Sequence, residues 1–174
     1  LHSKPPAIAP KAIRRQKIRE SGMTTIAYKD GVMAADSLST CNGIRNGTFP
    51  KVHAYKILTG GYCLIGFCGE PAHITKAIAA IVDKNQDPRP SDSWPEGDYM
   101  ALIVIQHDVA SECPPDIYVF EGQGAPFQLT TPYQAIGSGS EIATGAMAVG
   151  ATALQAVKTA IELDINSGGP SVAK

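Results

Sequence analysis

The segment 23–36, MTTIAYKDGVMAAD, constrains the fold of this chain more than any other segment does. Its Asp-Gly dipeptide lies between two strand-like runs, which predicts a tight β-hairpin. A hairpin brings its ends together, so we expect Asp36 near Thr24. If Met23 is removed, Thr24 carries a nucleophilic hydroxyl and an α-amine with a pKa of about 8 that can act as a general base. A surface hairpin with no catalytic role is the alternative interpretation of this segment alone.

Composition and charge narrow the class of protein. The chain has 174 residues, of which 44% are hydrophobic and 18% charged, as in an ordinary globular domain. The net charge of -1 gives no indication of nucleic-acid binding. Cys41, Cys63, Cys68 and Cys113 form no CxxC pair, and the four histidines are scattered, so neither a zinc site nor a cofactor is expected. No apolar run reaches membrane-spanning length, and the sequence predicts a cytoplasmic protein with reduced thiols.

Residues 1–22 differ in composition from the rest of the chain. They are rich in Lys and Arg and contain three prolines, which is typical of a flexible basic tail, a pro-segment or a weak amphipathic helix over residues 11–20. An over-extended gene start, with the true start at Met23, is another interpretation. We therefore predict a tail over residues 1–22 and one domain over residues 23–174.

The remaining pattern predicts strands and helices in segregated runs. Such runs favour the α+β class over alternating βαβ units. After the first hairpin we expect a Gly/Asn-rich loop through Gly47, a second hairpin closing on Gly60-Gly61, a helix over 71–82 and a loop over 83–98. Strands are expected over 101–105, 116–121 and 126–129, and residues 133–140 then lead into one long helix over 141–163.

Five parts of this chain resemble, in order, segments of proteasome β-type subunits. The resemblance covers residues 23–174 and is specific because the segments occur in the family's order and spacing. Within that family of N-terminal-nucleophile (Ntn) hydrolases, the chain is most similar to compact bacterial and phage members and to HslV-type peptidases. The segments are Thr24-Thr25-Ile26-Ala27 with Ala34-Ala35-Asp36-Ser37, Lys51-Val52, Gly66-Phe67-Cys68-Gly69, Ala135-Ile136-Gly137-Ser138-Gly139-Ser140, and Asp164-Ile165-Asn166-Ser167-Gly168-Gly169.

The resemblance implies a four-layer αββα sandwich with Thr24 at the mouth between two sheets. It implies that Thr24 Oγ attacks the peptide carbonyl while the freed α-amine takes the proton. Lys51 would lie beside Thr24 and stabilise negative charge on Oγ, and Asp36 would hold Lys51 in place.

The resemblance gives four further residues a role. The backbone N–H of Gly69 would donate to the oxyanion, and Ser138 would bond the threonine amine. Asp164 and Ser167 would not contact the substrate but would hold Thr24 and Ser138 in the required orientation. Taken one by one, these residues also fit ordinary turns and helix caps, as Gly-Ser-Gly does before a helix.

Two features depart from the family pattern. The first hairpin is shorter than in most members, but a shortening by an even number of residues preserves the strand faces. Self-processing subunits carry Gly before the threonine, whereas this chain has Gly22-Met23-Thr24. That order favours removal of Met23 by an aminopeptidase, and a retained tail would block the base.

The sequence therefore predicts a threonine-type endopeptidase subunit of a proteasome-like, homo-oligomeric ring. Its substrate would be a peptide or unfolded protein, an ATPase unfoldase is a candidate partner, and neither nucleic acid nor membrane is expected as a partner. Two alternatives stay open: a non-catalytic structural subunit of the same fold, and a small-molecule Ntn amidohydrolase.

Overall fold

The structure, a computed structural model, describes residues 23–41, 44–57, 60–83, 94–108 and 113–174. Within these ranges the chain forms eleven strands and three helices, a mixture of α and β elements. No helix in the described ranges has the length and apolar character needed to cross a membrane. The predicted tail over residues 1–22 lies outside the described residues.

The strands and helices are numbered in chain order. The strands are β1 (Thr25–Lys29), β2 (Val32–Ala35), β3 (Leu38–Cys41), β4 (Ile44–Thr48), β5 (Val52–Lys56), β6 (Tyr62–Gly69), β7 (Tyr99–Gln106), β8 (Asp116–Phe120), β9 (Phe127–Leu129), β10 (Tyr133–Gly137) and β11 (Val172–Ala173). The helices are α1 (Pro71–Asp83), α2 (Ser140–Ala148) and α3 (Ala153–Leu163).

The predicted first hairpin is confirmed. β1 and β2 pair antiparallel, with Ile26 opposite Ala35. Asp30 and Gly31 both have positive φ angles, 51° and 81°, as a two-residue turn between twisted strands requires. The backbone N–H of Asp36 donates to the carbonyl of Thr25 over 3.1 Å, which holds the end of the hairpin beside its start.

Two larger sheets and one small one organise these strands. The four-stranded sheet has the order β10-β1-β2-β11, and the five-stranded sheet has the order β5-β6-β7-β8-β9. β3 and β4 form a separate two-stranded ribbon. Since β1 is central in its sheet, the residue that precedes it lies between β10 on one side and β2 on the other.

The two larger sheets share a core made of alternate side chains. A strand points successive side chains to opposite faces, so each strand gives every second residue to this core. Gly66 of β6 faces the core, and a Cβ at this position would lie 2.6 Å from Ile26 Cγ2 and 3.1 Å from Met33 Sδ. The shared core contains Ile26, Tyr28, Met33, Ala35, Val52, Leu64, Cys68, Leu102, Val104, Ile117, Val119 and Ile136.

The other face of each sheet packs against helices. α1 covers the five-stranded sheet through Ile74, Ala77 and Ile81, which meet aromatic and branched side chains such as Phe67 and Phe120. α2 and α3 cover the four-stranded sheet through small residues, which permit close approach of helix and sheet. That third cluster contains Ala27, Ala34, Ala135, Ala143, Met147, Ala153, Ala156 and Val157.

The predicted long helix over 141–163 is wrong, because the segment forms two helices. α2 ends at Ala148, and Gly150 adopts a φ of 105°, which a continuing helix does not allow. Thr152 then begins α3 with a capping box, in which its hydroxyl accepts from Gln155 N and Gln155 accepts from Thr152 N. Apolar spacing continues across the break, so periodicity alone did not reveal it.

Two predicted loops also differ from the structure. Part of the Gly/Asn-rich loop through Gly47 is β4, which pairs with β3 across a register shift at Ser39/Thr40. Glycine and asparagine are poor strand formers, but pairing with the adjacent strand satisfies their backbone groups. The predicted loop over 83–98 begins later, because α1 includes Asp83. Residues 84–93 of that loop lie outside the described residues.

The packing at Gly66 predicts opposite effects for two glycine substitutions. Gly66→Ala should lower the free energy of unfolding by about 1–3 kcal/mol, because the new methyl group overpacks the shared core. Gly145→Ala in α2 should leave it unchanged or raise it by up to about 1 kcal/mol, because no atom lies within 4 Å of that Cβ and alanine favours a helix. Urea unfolding of both variants provides the measurement. Equal stability of the two would contradict the described packing of the sheets.

Candidate active site

Thr24 lies immediately before β1, at the end of the space between the two larger sheets. It is 4% exposed. Its backbone N–H donates to Ser138 Oγ over 3.3 Å, and its hydroxyl donates to the carbonyl oxygen of Met23 over 2.7 Å. The nitrogen that would become an amine after removal of Met23 is therefore next to a serine hydroxyl.

A buried ion pair lies on one side of Thr24. Lys51 Nζ and Asp36 Oδ1 are 3.0 Å apart, and their side chains are 6% and 0% exposed. The same Asp36 oxygen accepts from the backbone N–H of Thr25 over 2.8 Å, and its second oxygen accepts from Gly168 N over 3.1 Å. Lys51 Nζ also donates to Met23 O over 3.3 Å. Lys51 Nζ and the Thr24 hydroxyl therefore contact the same oxygen atom.

Burial lowers the pKa of Lys51, and the attraction and hydrogen bond of Asp36 oppose this decrease. The cation is thus easier to deprotonate than a lysine in water. An ammonium group in such a site interacts strongly with any negative charge that develops nearby, because little solvent screens it.

A second carboxylate lies behind Ser138. Asp164 Oδ2 accepts from Ser138 Oγ and from Ser167 Oγ, each over 2.7 Å, and Asp164 Oδ1 accepts from Asn166 N over 3.1 Å. Burial alone would raise the pKa of Asp164, but the hydrogen bonds from Ser138, Ser167 and the backbone of Asn166 lower it below its usual range. Asp164 is therefore an anion at neutral pH.

The carboxylate at position 164 sets the direction of a chain of hydrogen bonds. Ser138 and Ser167 each have one hydroxyl proton, and each donates to Asp164 over 2.7 Å; for Ser138 this contact is shorter than its 3.3 Å contact with Thr24 O. Thr25 Oγ1 lies 2.6 Å from Ser167 Oγ, so Thr25 is the donor of that pair. Ser138 in turn accepts from Thr24 N. The two threonines are thus linked through two serines to a single anion.

Two glycines allow β1 and the turn after β10 to approach so closely. Gly137 has a φ of 94°, and a Cβ there would overlap the carbonyl oxygen of Thr24. A Cβ on Gly139 would overlap Thr25 Oγ1 and lie 3.2 Å from Ser167 Oγ. The Gly-Ser-Gly sequence therefore places Ser138 against Thr24 where larger residues would not fit.

Six of the seven predicted site residues lie in one hydrogen-bonded network. The network includes Met23 O and Thr25 as connecting groups, and its predicted members are Thr24, Asp36, Lys51, Ser138, Asp164 and Ser167. The seventh, Gly69, is the last residue of β6 and pairs with Tyr99, so in the described part of the chain it stands outside this network. A Cβ on Gly69 would lie 2.6 Å from Asp98 O.

Sequence reasoning did not assign a role to Thr25 or to Gly168. Thr25 joins the two halves of the network, since its N–H bonds Asp36 and its hydroxyl bonds Ser167. Gly168 donates its N–H to Asp36. The available signal for Thr25 was its position, because it is a polar residue at an inward position of an apolar strand. Gly168 acts through its backbone N–H, which every residue except proline has, so the sequence gives no signal for it.

Cys68 is the other potential nucleophile near Lys51. Burial raises the pKa of Cys68 to about 12, despite the opposing effect of Lys51. A thiol with such a pKa remains protonated at neutral pH and is a poor nucleophile. In the described ranges, no group of three or more His, Cys, Asp or Glu side chains is arranged to hold a metal ion.

Comparison with solved structures identifies the architecture. Anbu (ancestral beta-subunit) from Yersinia bercovieri superposes with a TM-score of 0.66 at 14% identity, over 86% of this chain and 79% of that one. A helical assembly of the Anbu complex from Pseudomonas aeruginosa gives 0.66 at 17% identity, over 87% and 80% of the two chains. Eukaryotic HslV from Trypanosoma brucei gives 0.58 at 18% identity, over 86% and 97%. The chain has a proteasome-like fold.

At these identities, the similarity to known structures establishes the fold and not the family. No protein-family model and no curated protein matches the sequence. The proteasome-like fold agrees with the expectation from the short sequence segments.

The ion pair between Lys51 and Asp36 predicts how the free energy of unfolding changes when one or both partners are replaced. Asp36→Asn keeps an acceptor for only one of the two backbone N–H groups, places an NH2 group against the other, and removes the carboxylate from the buried Lys51 ammonium. The free energy of unfolding should therefore fall by about 3–5 kcal/mol at pH 7. Adding Lys51→Met should recover part of this loss. Chemical denaturation of wild type, Asp36→Asn, Lys51→Met and the double variant measures the coupling energy of the pair. A double variant less stable than Asp36→Asn would contradict the pairing.

The lowered pKa of Lys51 also predicts the pH dependence of that loss. The folded protein releases this proton at a lower pH than the unfolded chain, for which the pKa is about 10.4. Between the two values the unfolded state binds more protons, so stability rises with pH. Asp36 raises the Lys51 pKa, so in Asp36→Asn this pKa lies lower than in wild type and stability rises with pH over a wider range. The deficit of Asp36→Asn relative to wild type should therefore shrink on the alkaline side when denaturation is repeated at several pH values. Asp36→Asn/Lys51→Met, which lacks the titrating group, should not show this recovery.

Proposed function

We propose that this chain is a threonine-type endopeptidase subunit of a proteasome-like ring, with the α-amine of Thr24 as its general base. The observation that carries the proposal is the network that surrounds Thr24, with a cation on one side and serine hydroxyls backed by an anion on the other. We further propose that its layers form the four-layer αββα sandwich of Ntn hydrolases, and that it acts in the cytoplasm on peptides or unfolded proteins.

The reaction begins with the hydroxyl of Thr24. Its Oγ attacks the carbonyl carbon of the scissile peptide bond, and the hydroxyl proton passes to the free α-amine. The C–N bond of the substrate then breaks, and the proton moves from the amine to the leaving nitrogen. Water hydrolyses the resulting ester, with the α-amine again acting as base, and releases the acyl product.

Lys51 stabilises the negative charge that develops on Thr24 Oγ. Its ammonium is buried and already contacts the oxygen that the Thr24 hydroxyl contacts. Asp36 holds this ammonium in position by the 3.0 Å ion pair. The N–H of Gly69 is assigned to the oxyanion by resemblance alone.

Ser138 orients the α-amine of Thr24. Its hydroxyl accepts from the Thr24 nitrogen and donates to Asp164, so the lone pair of a free amine stays available for the proton of Oγ. Ser167 donates to the same carboxylate and accepts from Thr25, which holds the start of β1 in place. Asp164 and Ser167 are thus positioning residues.

The mechanism requires the peptide bond between Met23 and Thr24 to be absent. An amide nitrogen is not basic, and the Met23 carbonyl occupies the point where Lys51 and the Thr24 hydroxyl meet. Removal of Met23 therefore supplies the base and clears the place for a substrate carbonyl at once. The proposed function thus depends on processing at this bond.

The nucleophile can be tested by substitution combined with intact mass. A preparation whose mass places Thr24 first should cleave unfolded casein and fluorogenic peptides, whereas one that retains Met23 should not. Thr24→Ala should lower the rate at least about 1,000-fold, because neither Oγ attack nor acylation remains. Thr24→Ser should retain measurable turnover.

Thr75→Ala is the matched control, since Thr75 is exposed on α1 and its hydroxyl donates to Pro71 O in the same helix. It should hydrolyse peptides at the wild-type rate. Near-normal turnover by Thr24→Ala would remove Thr24 from the mechanism. A fully processed, folded protein with no hydrolysis would favour the structural subunit.

Ring assembly is supported by apolar side chains that the single chain leaves exposed. Val149 after α2 is 88% exposed, Leu163 at the end of α3 is 67% exposed, and Ile165 is 91% exposed. Val149 lies in the connection between α2 and α3, whereas Leu163 and Ile165 lie at the other end of α3, so apolar side chains are exposed at both ends of this helical layer. Large exposed apolar side chains suit contacts with other protein surfaces. We propose that neighbouring copies cover these residues in a closed assembly.

A charge in the connection between α2 and α3 should prevent assembly. Val149→Glu should lower the native mass from that of the wild-type oligomer to that of smaller species, measured by native mass spectrometry, because it buries a carboxylate in an apolar contact. Gln123→Glu adds the same charge at another exposed position and should assemble normally. A wild-type protein that is monomeric while it cleaves peptides would contradict the ring and favour the small-molecule amidohydrolase.

A further inference from the structure

A cavity of about 290 Å³ opens beside β10, at the same end of the sheets as Thr24. Its volume is at the lower limit for small-molecule sites, so it suits a side chain better than a large ligand. Phe127 in its wall is 44% exposed, so the cavity reaches the protein surface. Its apolar wall comes from both larger sheets and includes Met100, Val119, Phe127, Leu129 and Ile136, while Glu121, Gln134 and Ser140 contribute polar groups.

The cavity is continuous with the candidate active site. Gly137 lines it and also pairs with Thr25, and a Cβ on Gly137 would overlap the carbonyl oxygen of Thr24. Ser140, which also lines it, is two residues after Ser138. A chain that passes over Thr24 therefore lies next to residues that line this cavity.

The cavity lies on the side of Thr24 opposite the ion pair. In the sheet order β10-β1-β2-β11, Asp36 follows β2 on one side of β1, and Lys51 is bound there. The cavity is lined by β10, on the other side of β1. It is therefore separate from the place that Lys51 occupies.

β10 can also bind a peptide backbone. Among the described strands it pairs only with β1, so its other edge offers backbone N–H and C=O groups. The side-chain amide of Gln134 donates to Ala135 O over 3.2 Å, so this carbonyl accepts an amide N–H from outside the β1 ladder. A peptide N–H is the same kind of donor, and peptides that extend a sheet edge place alternate side chains in adjacent pockets.

We propose that this cavity is a substrate subsite that receives one apolar side chain of a peptide whose backbone lies along the free edge of β10. The inference rests on the proposed function, because the peptide is the substrate whose scissile bond lies at Thr24. It gives the site a determinant of specificity on the β10 side of the scissile bond. The favoured side chain is uncharged and of the size of leucine or larger.

The subsite is tested with an octapeptide that has leucine at three positions on each side of the scissile bond. Six variants replace one leucine each by alanine. With processed wild-type protein, alanine at the position held in the cavity should lower kcat/KM about 10-fold or more, as expected when an apolar pocket loses several methyl and methylene groups. Phe127→Ala should reduce this penalty below about threefold at that position only, because the pocket has lost its outer wall.

Tyr62→Ala is the matched control. Tyr62 is aromatic and 39% exposed, like Phe127, but it lies at the opposite end of β6 from Gly69. It should leave all six alanine penalties unchanged. Leu129→Trp, which fills the cavity, should lower kcat/KM for the all-leucine octapeptide to the level of the affected alanine peptide. Unchanged penalties in both Phe127→Ala and Leu129→Trp, with native mass retained, would overturn the subsite.

A single-residue fluorogenic amide separates failure of the subsite from failure of the proposed function. Suppose that wild type and Phe127→Ala cleave this amide equally, and that alanine in the octapeptide lowers kcat/KM by the same factor in both proteins. The proposed hydrolase activity is then supported and the proposed subsite is wrong. If wild type cleaves no substrate, the hydrolase is wrong and binding of the labelled octapeptide decides the subsite by fluorescence anisotropy. At least threefold weaker binding by Phe127→Ala then supports the cavity, and equal binding overturns it.

Discussion

The carboxylate of Asp36 is the group on which the geometry of this site depends. It is 1% exposed, and a buried carboxylate is tolerated only when its oxygens are bonded and its charge is matched. Lys51 supplies the charge, and the backbone N–H groups of Thr25 and Gly168 supply further donors. One side chain thus joins the start of β1, the residue before β5 and the segment after α3. These parts of the chain are far apart in sequence, and their relative position fixes Thr24.

The charges around Thr24 are separated in a way that suits proton transfer. Lys51 places a cation near the hydroxyl, while Asp164 places an anion behind the serine that bonds the nitrogen. Asp164 does not contact Thr24 directly but acts through Ser138 and Ser167, whose hydroxyl protons it orders. A site ordered in this way needs little rearrangement when charge moves, and preorganisation of that kind is a large part of enzymatic rate enhancement.

Close packing keeps this arrangement rigid. Gly66 lets the two larger sheets approach, and Gly137 and Gly139 let the turn after β10 contact the first residues of β1. At each position a Cβ would meet an atom at less than van der Waals distance. Site residues held by strands and tight turns are positioned more accurately than residues on long loops. The same proximity of β10 and β1 brings the cavity beside β10 next to Thr24.

Local chemistry allowed much of the fold to be predicted. The Asp-Gly turn identified the first hairpin, and apolar periodicity identified α1 and the central strands, because these signals depend on residues close in sequence. Periodicity failed at the break between α2 and α3, where Thr152 caps a new helix while the apolar spacing continues. Composition also concealed β4, which is stabilised by its partner strand rather than by its own propensity.

The sequence by itself determined which polar residues were available to the candidate site, and it placed Asp36 near Thr24 through a short hairpin. Only the tertiary structure decided that Lys51, Ser138, Asp164 and Ser167 meet there, since they come from separate parts of both sheets and the segment after α3. It also gave Thr25 its linking role and formed the cavity beside β10. Contacts across sheets depend on strand order and register, and these follow from the packing of the whole core rather than from any local segment.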